Sequence, residues 1–376
     1  MIVALLSIAS LLAVYSSVGS VAYEMRDGNT LGYLLQHLVF ILLGFGLMYI
    51  SYQFHYMQYS RFAPLLLIVC IPLLAYTLAF GVEMNDARRW IMIPWIDKTF
   101  QTSDFAKLAL IIYVARSLSL KQDFIKDWRS ATKIIIPVVV VFLLIAPADL
   151  STAGLLFVTC LLMMFVGRVS LRYVGALVLM GLGAFGVLLL LGEMAPEAIR
   201  VETWSSRINE FLTNSDGGYQ IRQSKIAIAE GGWFGVGPGH STQRNFLPYP
   251  YADFIYAIIC EEYGLFGGIV ILGLYLWLLF RCVTIVTKCP KTFGAILAMG
   301  LCLNLVIQAF ANMAVSVHLV PVTGLTLPLV SMGGTSVLFT CISLGIILSV
   351  SRYVEEANKQ RMELEKLEEL EDAGNY

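Results

Sequence analysis

Asp253, Glu261 and Glu262 stand close together where a loop punctuated by Pro248 and Pro250 gives way to a long apolar run. A carboxylate at such a boundary can face solvent chemistry, or simply cap the helix that follows. An ionisable group in or beside a lipid-spanning run is a functional candidate by default, because burying it in lipid costs roughly 2.5–3.5 kcal/mol on insertion scales. Glu261 and Glu262 are therefore expected in a wet or paired setting. At about 100° per residue, Asp253, Ala257, Cys260 and Gly264 share a helix face. Small residues below the carboxylate leave room for a substrate or let another helix pack closely.

More ionisable groups lie at the ends of apolar runs. Asp104 and Lys107 stand three apart after Thr102 and Ser103, which read as a cap. Asp149 lies in a short turn, and Arg88-Arg89-Trp90 in a loop. Singly, each reads as capping, snorkelling or a pair along a helix. Together they describe a charged vestibule on one side of a membrane. The glycines at 231, 232, 235, 237 and 239 either let backbone N–H groups approach a phosphate or form a flexible connector. Without a Gly-Lys-Ser/Thr ending they are not a P-loop.

The elements that must position these groups are helices in a bilayer. Of 376 residues 58% are hydrophobic and only 14% charged, where a soluble domain has about 25% charged, and the mean hydropathy is +0.76. Apolar runs of membrane length, about 17–25 residues, are predicted near residues 1–22, 34–52, 63–81, 103–119, 132–148, 151–167, 173–192, 252–281, 294–317 and 328–351. The chain reads as an all-α integral membrane protein of about ten transmembrane helices. Its membrane domain covers 1–351, and an acidic helical tail covers 352–376. Lys and Arg gather in alternate short loops, at Arg61, Arg116 to Lys133, Arg168 with Arg172, and Arg281 to Lys291. The positive-inside rule assigns that side to the cytoplasm. Both termini are then expected inside and a large loop, about 193–251, outside between helices seven and eight. That loop is too long for a connector, and Tyr219 to Ala229 within it has a helical apolar period. The seven cysteines match no zinc or redox spacing, the four histidines are scattered, and a net charge of -1 gives no reason to expect nucleic acid.

Several stretches along almost the whole chain resemble one family in order. They are Val14-Tyr-Ser-Ser17, Ala87-Arg-Arg-Trp-Ile91, Ser103-Asp-Phe-Ala-Lys-Leu108, Asp149-Leu-Ser-Thr152, Gly218-Tyr-Gln220 with Gln223-Ser224, Gly231-Gly-Trp-Phe-Gly-Val-Gly237, Asp253-Phe-Ile-Tyr with Glu261-Glu262-Tyr-Gly264, and Pro321-Val-Thr-Gly-Leu-Thr-Leu-Pro328 running to Ser336. The resemblance is to the shape, elongation, division and sporulation (SEDS) family, the FtsW and RodA polymerases of peptidoglycan. Where that family usually has Glu-x-His-Thr before the aspartate, this chain has Tyr249-Pro250-Tyr251-Ala252.

The resemblance implies a peptidoglycan glycosyltransferase that polymerises lipid II, transferring hexosyl units from a polyprenyl-pyrophosphate donor at the outer face of the cytoplasmic membrane. The Thr-Gly-Leu-Thr-Leu-Pro wording leans to the FtsW branch over RodA, hence to cell division and the septum. On this reading Asp253 is the general base or else holds a divalent cation, Mg2+ or Mn2+, and no organic cofactor is expected. Arg88, Arg207, Lys107 and Lys225 are the candidate cations for the leaving pyrophosphate. Gln220, Ser224 and Glu261 are candidate polar contacts to substrate. Expected partners are a monofunctional (class B) penicillin-binding transpeptidase, other divisome proteins and membrane lipid. Two other readings remain open, a lipid II flippase and a non-catalytic membrane scaffold for a transpeptidase.

Overall fold

The computed structural model describes residues 1–19, 30–84, 87–93, 98–120, 128–194, 200–213 and 216–374. Wherever so apolar a chain meets lipid, its backbone groups must pair within the protein, which helices do. The helices are α1 (Ile2–Ser17), α2 (Thr30–Gln53), α3 (Tyr56–Phe80), α4 (Thr102–Ser119), α5 (Trp128–Ile145), α6 (Leu150–Val166), α7 (Leu171–Met194), α8 (Val201–Thr213), α9 (Tyr219–Gly231), α10 (Ile255–Lys288), α11 (Thr292–Ser316) and α12 (Thr335–Gly374). Among the described residues seven helices, α2, α3, α5, α7, α10, α11 and α12, are long and apolar enough to cross a membrane, and α1 and α6 are shorter apolar helices. α4 carries Asp104 in its first turn and Arg116 in its last.

Packing sorts these helices into inner and outer. Along α4, Ala106, Ala109, Leu110, Ile111, Ile112, Val114 and Ala115 are all buried, and α11 is buried over most of its length. α2, α7 and α10 instead turn Leu42, Leu179 and Phe266 outward. Helices apolar on their outer face belong against lipid.

Three departures from the sequence reading bear on the site. The stretch read as a plain loop before α4 contains a three-stranded antiparallel sheet, β1 (Val82–Met84), β2 (Ala87–Ile93) and β3 (Lys98–Gln101), with Trp90 opposite Gln101. The last span begins at Thr335 rather than 328, because 321–334 is irregular backbone in which Gly324, Leu329 and Gly334 take positive φ. The glycine-rich stretch is neither a flexible connector nor a phosphate cradle but a clasp on α10. Val236 N donates to Glu261 O at 2.9 Å, Gly237 N to Glu262 O at 3.0 Å, and Leu265 N to Gly232 O at 2.9 Å. The clasp needs a break in the helix, supplied by Gly264 at φ 69°, ψ -172°. A Cβ there would lie 2.3 Å from Trp233 O, and one on Gly235 would lie 2.1 Å from Glu262 O.

Candidate active site

Asp253 is not a helix cap. It lies in the turn before α10, whose N-cap is Phe254. The turn is held by its backbone. Asn312 Nδ2 on α11 donates to Asp253 O at 2.8 Å and to Leu325 O at 2.7 Å. Ser331 Oγ donates to Ala252 O at 2.6 Å, and Met332 N to Tyr251 O at 2.9 Å. Ser10 Oγ donates to Val330 O at 2.8 Å and Tyr275 Oη donates to Pro328 O, so α1 and α10 brace the 321–334 loop that grips the turn. The carboxylate is thus placed by main-chain bonds that leave its own oxygens for the cavity.

That cavity has a volume of about 410 Å³, and four cations (Arg89, Lys107, Arg200, Arg207) share its wall with three carboxylates (Asp104, Asp149, Asp253). Asp149 is already committed. It caps α6, accepting from Thr152 N at 3.1 Å and Thr152 Oγ1 at 2.8 Å, and pairs with Arg89 Nη1 at 3.2 Å. Arg89 Nε also donates to Ala148 O at 2.9 Å. Arg207 Nη1 donates to Val322 O at 3.2 Å. Burial lowers the Arg207 guanidinium from its ordinary value, and Arg200 and Arg89 push the same way. Like charges gathered in a poorly solvated space favour an anion between them. Asp253, reached through the cavity yet enclosed by protein, is raised to about 6, with burial the largest cause. Arg89 and Arg207 pull it down and Asp149 pushes it up.

The structure brings Asp253, Arg207, Lys107 and Gln220 to one cavity. Lys107 Nζ pairs with Asp104 Oδ1 at 2.8 Å and donates to Gln308 Oε1 at 3.2 Å. Thr102 and Ser103 fall inside α4, whose N-cap is Gln101, so they do not cap it through their side chains. Arg88 is elsewhere, exposed and paired with Glu83 at 3.5 Å. Arg89 lines the cavity instead, a choice between neighbours that residue type alone does not make. Lys225 lies off the cavity wall and donates to Asp216 O at 3.2 Å. Ser224 is buried and donates to Ser316 O at 2.8 Å, fastening α9 to α11. Glu261 is fully buried under the 241–243 backbone, accepting from Ser241 Oγ at 2.5 Å, Thr242 N at 2.7 Å, Thr242 Oγ1 at 3.1 Å and Gln243 N at 3.1 Å. Ala257 and Cys260, on the face below Asp253, are buried in contact with protein rather than open to a ligand. Tyr249, within the departure from the family pattern, lines the cavity with φ 54°.

One site feature went unseen. Asn304, Gln308, Asn312 and Ser316 recur every four residues and so form one polar stripe along the otherwise apolar α11. Gln308 Nε2 donates to Thr326 O at 2.9 Å, so Gln308 and Asn312 together fix Lys107, the 321–334 loop and the Asp253 turn. The i,i+4 spacing of amides inside a spanning run was the available signal.

Apolar helices enclosing a chamber lined by four cations and three carboxylates define a multi-pass membrane protein with a charged cavity among its helices. The chain matches the FtsW/RodA/SpoVE family, described as cell cycle proteins, over residues 1–356. Stage V sporulation protein E of Bacillus subtilis (strain 168) is 35% identical over 93% of this chain and 94% of that protein. A probable peptidoglycan glycosyltransferase FtsW of Coxiella burnetii is 31% identical over 92% of this chain and 93% of that one. Among solved structures, a chain from work on a peptidoglycan synthase complex that coordinates polymerization and crosslinking has a TM-score of 0.68 at 26% identity, covering 92% of this chain and 96% of that chain. An aspartate-to-alanine mutant of Thermus thermophilus rod shape determining protein RodA has a TM-score of 0.65 at 25% identity, covering 93% and 96%. The chain therefore belongs to the FtsW/RodA/SpoVE family, the SEDS proteins, and within it is FtsW-like.

Proposed function

We propose that this protein is a peptidoglycan glycosyltransferase that polymerises lipid II at the outer face of the cytoplasmic membrane. One observation carries the reading: Asp253, raised to about 6, shares a cavity with Arg89, Arg200, Arg207 and Lys107. A base and an anion site side by side are what glycosyl transfer from a lipid pyrophosphate requires. An acceptor sugar hydroxyl attacks the anomeric carbon of the donor, forming the new glycosidic C–O bond. The bond from that carbon to the phosphate oxygen breaks, and the pyrophosphate leaves with the electron pair. Asp253 accepts the hydroxyl proton, and Arg89, Arg207 and Lys107 meet the charge on the leaving group. A positioned base contributes about 10²–10⁴-fold.

The divalent cation is subject to a narrower fit. Among the described residues no three His, Cys, Asp or Glu side chains gather to hold a metal. Asp253 would hold Mg2+ or Mn2+ only with the substrate's phosphate oxygens as further ligands, as such cations commonly are held. Bound there it would neutralise the leaving group.

Both termini in the cytoplasm, location at the division septum, and partnership with a class B penicillin-binding transpeptidase and other divisome proteins belong to the same proposal. The loop charges support the first, and likeness to a chain of a peptidoglycan synthase complex supports the transpeptidase. The test is glycan chain length from purified protein given lipid II and a divalent cation, with and without its cognate transpeptidase. Polymer is expected from wild type and from neither Asp253→Ala nor Asp253→Asn. Polymer from all three would move the base elsewhere, and lipid II transfer between leaflets without polymer would replace this reading with a flippase.

A further inference from the structure

Beneath the main cavity, between α4, α11 and α12, lies a pit of about 20 Å³, apolar along Leu301 and Phe339 and polar along Asp104, Lys107, Asn304 and Gln308. It continues the cavity downward, because Asp104, Lys107, Gln308 and Ser336 line both. Two residues of its wall, Asp104 and Asn304, each carry a buried oxygen, Oδ2 and Oδ1, that has no protein hydrogen-bond partner. The residues are 3% and 6% exposed. Asp104 Oδ1 is engaged with Lys107, and Lys107 in turn with Gln308.

Both orphans are acceptors, so what satisfies them must donate twice or be a cation. A cation would enter beside the Lys107 ammonium, where the one carboxylate is already paired. A water molecule offers two donors without net charge. A polar space of roughly 10–15 Å³ is the least that holds one water, which needs two to four partners. Ser336 and Thr340, also on the wall, carry hydroxyls of the kind that can serve as further partners. We propose that the pit binds a single water molecule, which donates to Asp104 Oδ2 and Asn304 Oδ1 and ties α4 to α11 beneath Lys107. Asn304, last in the polar stripe of α11, is thereby a positioning residue. It acts through the water on Asp104 and so on the Lys107 ammonium at the cavity floor.

Two measurements test this. The first is a structure of the protein in lipid nanodiscs at a resolution that shows ordered water, where density within hydrogen-bond reach of both oxygens is expected. A pit without density, a metal ion with its own coordination shell, or an Asn304 amide turned to donate directly to Asp104 would each overturn the site. The second is glycan synthesis, and this arm alone rests on the polymerase reading. Asn304→Leu, which removes the acceptor and fills the space, should lower kcat/KM about tenfold or more. Asn304→Ser, which keeps an oxygen and the room, should recover it to within roughly twofold of wild type. In a Lys107→Gln background Asn304→Leu should add little, because both act through the same ammonium. An undiminished further loss there, with melting temperature unchanged, would overturn the positioning role. Water in the pit of a protein inactive on lipid II would leave the site standing and remove only the polymerase reading.

Discussion

Asp253 is the residue at which burial and reactivity are set against each other. Its folded value of about 6 lies above the ordinary 3.8 because the protein resists the charge there. A base must be ionised, so kcat/KM on lipid II should fall about tenfold per pH unit below about 6 and level off above it. A pH–rate profile flat down to pH 5 would show that the essential base ionises at lower pH and overturn the raised value at Asp253. The same shift has a sign for stability. The native state binds the proton more tightly than the unfolded chain, so stability falls as pH rises between 3.8 and about 6, and the loss is complete above that. Asp253→Asn should then melt higher than wild type at pH 7.5, by the equivalent of about 1–3 kcal/mol, while making no polymer. A variant inactive through misfolding would melt lower. The neighbouring arginines separate as cleanly. Arg89 and Asp149 form a largely buried pair, at 18% and 6% side-chain exposure. Arg89→Ala leaves that carboxylate unmatched and should cost about 3–5 kcal/mol along with activity. Arg88→Ala removes an exposed pair worth about 0–1 kcal/mol, and synthesis by it should stay near wild type. The sequence displays Arg88 and Arg89 side by side, and only the strand that sends successive side chains to opposite faces decides between them. That strand lies in short runs that periodicity does not resolve, so the sequence points to Arg88 where the fold uses Arg89.

At the scale of elements, the site is a turn gripped by the 321–334 loop and the polar stripe of α11, with the clasp fixing α10 about two turns further on. Glu261 belongs to the clasp. With hydrogen bonds from Ser241, Thr242 and Gln243 it holds the end of the glycine-rich loop against α10. Glu261→Gln puts an amide nitrogen where one oxygen accepted, and should destabilise by about 1–3 kcal/mol. The folded fraction should keep its KM for lipid II. A raised KM with unchanged melting would restore Glu261 as a substrate contact. Gly264→Ala should be worse than Glu261→Gln, since its positive φ and the 2.3 Å approach of Trp233 O admit no side chain; limited proteolysis of the 231–245 loop would report it. The apolar runs were legible because span length is fixed by the bilayer, and α9 because its apolar period is local. The clasp was not, because it depends on backbone atoms that meet only once α10 breaks. The stripe was legible in principle, but four polar residues inside 25 mostly apolar ones are outvoted by any average over the helix.

For the whole molecule, the question is which way the chamber faces. The cavity, the sheet, α8 and α9 gather at one end of the bundle, and the basic loops map to the other. Arg116 Nη1 near the end of α4 donates to Ser60 O near the start of α3 at 2.8 Å, and Tyr113 Oη to Lys133 O on α5 at 3.2 Å, so these loop charges share one end. Lys288 closes α10 and Lys291 precedes α11. The positive-inside rule predicts that this end is cytoplasmic, an orientation that would turn Asp253 and its cations outward. Thiol labelling decides it. Six of the seven native cysteines are buried, so replacing the partly exposed Cys289 by serine gives a quiet background. Ser205 on α8 and Thr287 near the end of α10 are both exposed. In intact cells a membrane-impermeant maleimide should modify Ser205→Cys and spare Thr287→Cys until the membrane is opened. The reverse pattern would put the cavity in the cytoplasm, where an attack on outward-facing lipid II has no substrate, and polymerisation at the outer face would have to be abandoned even if Asp253 stayed essential.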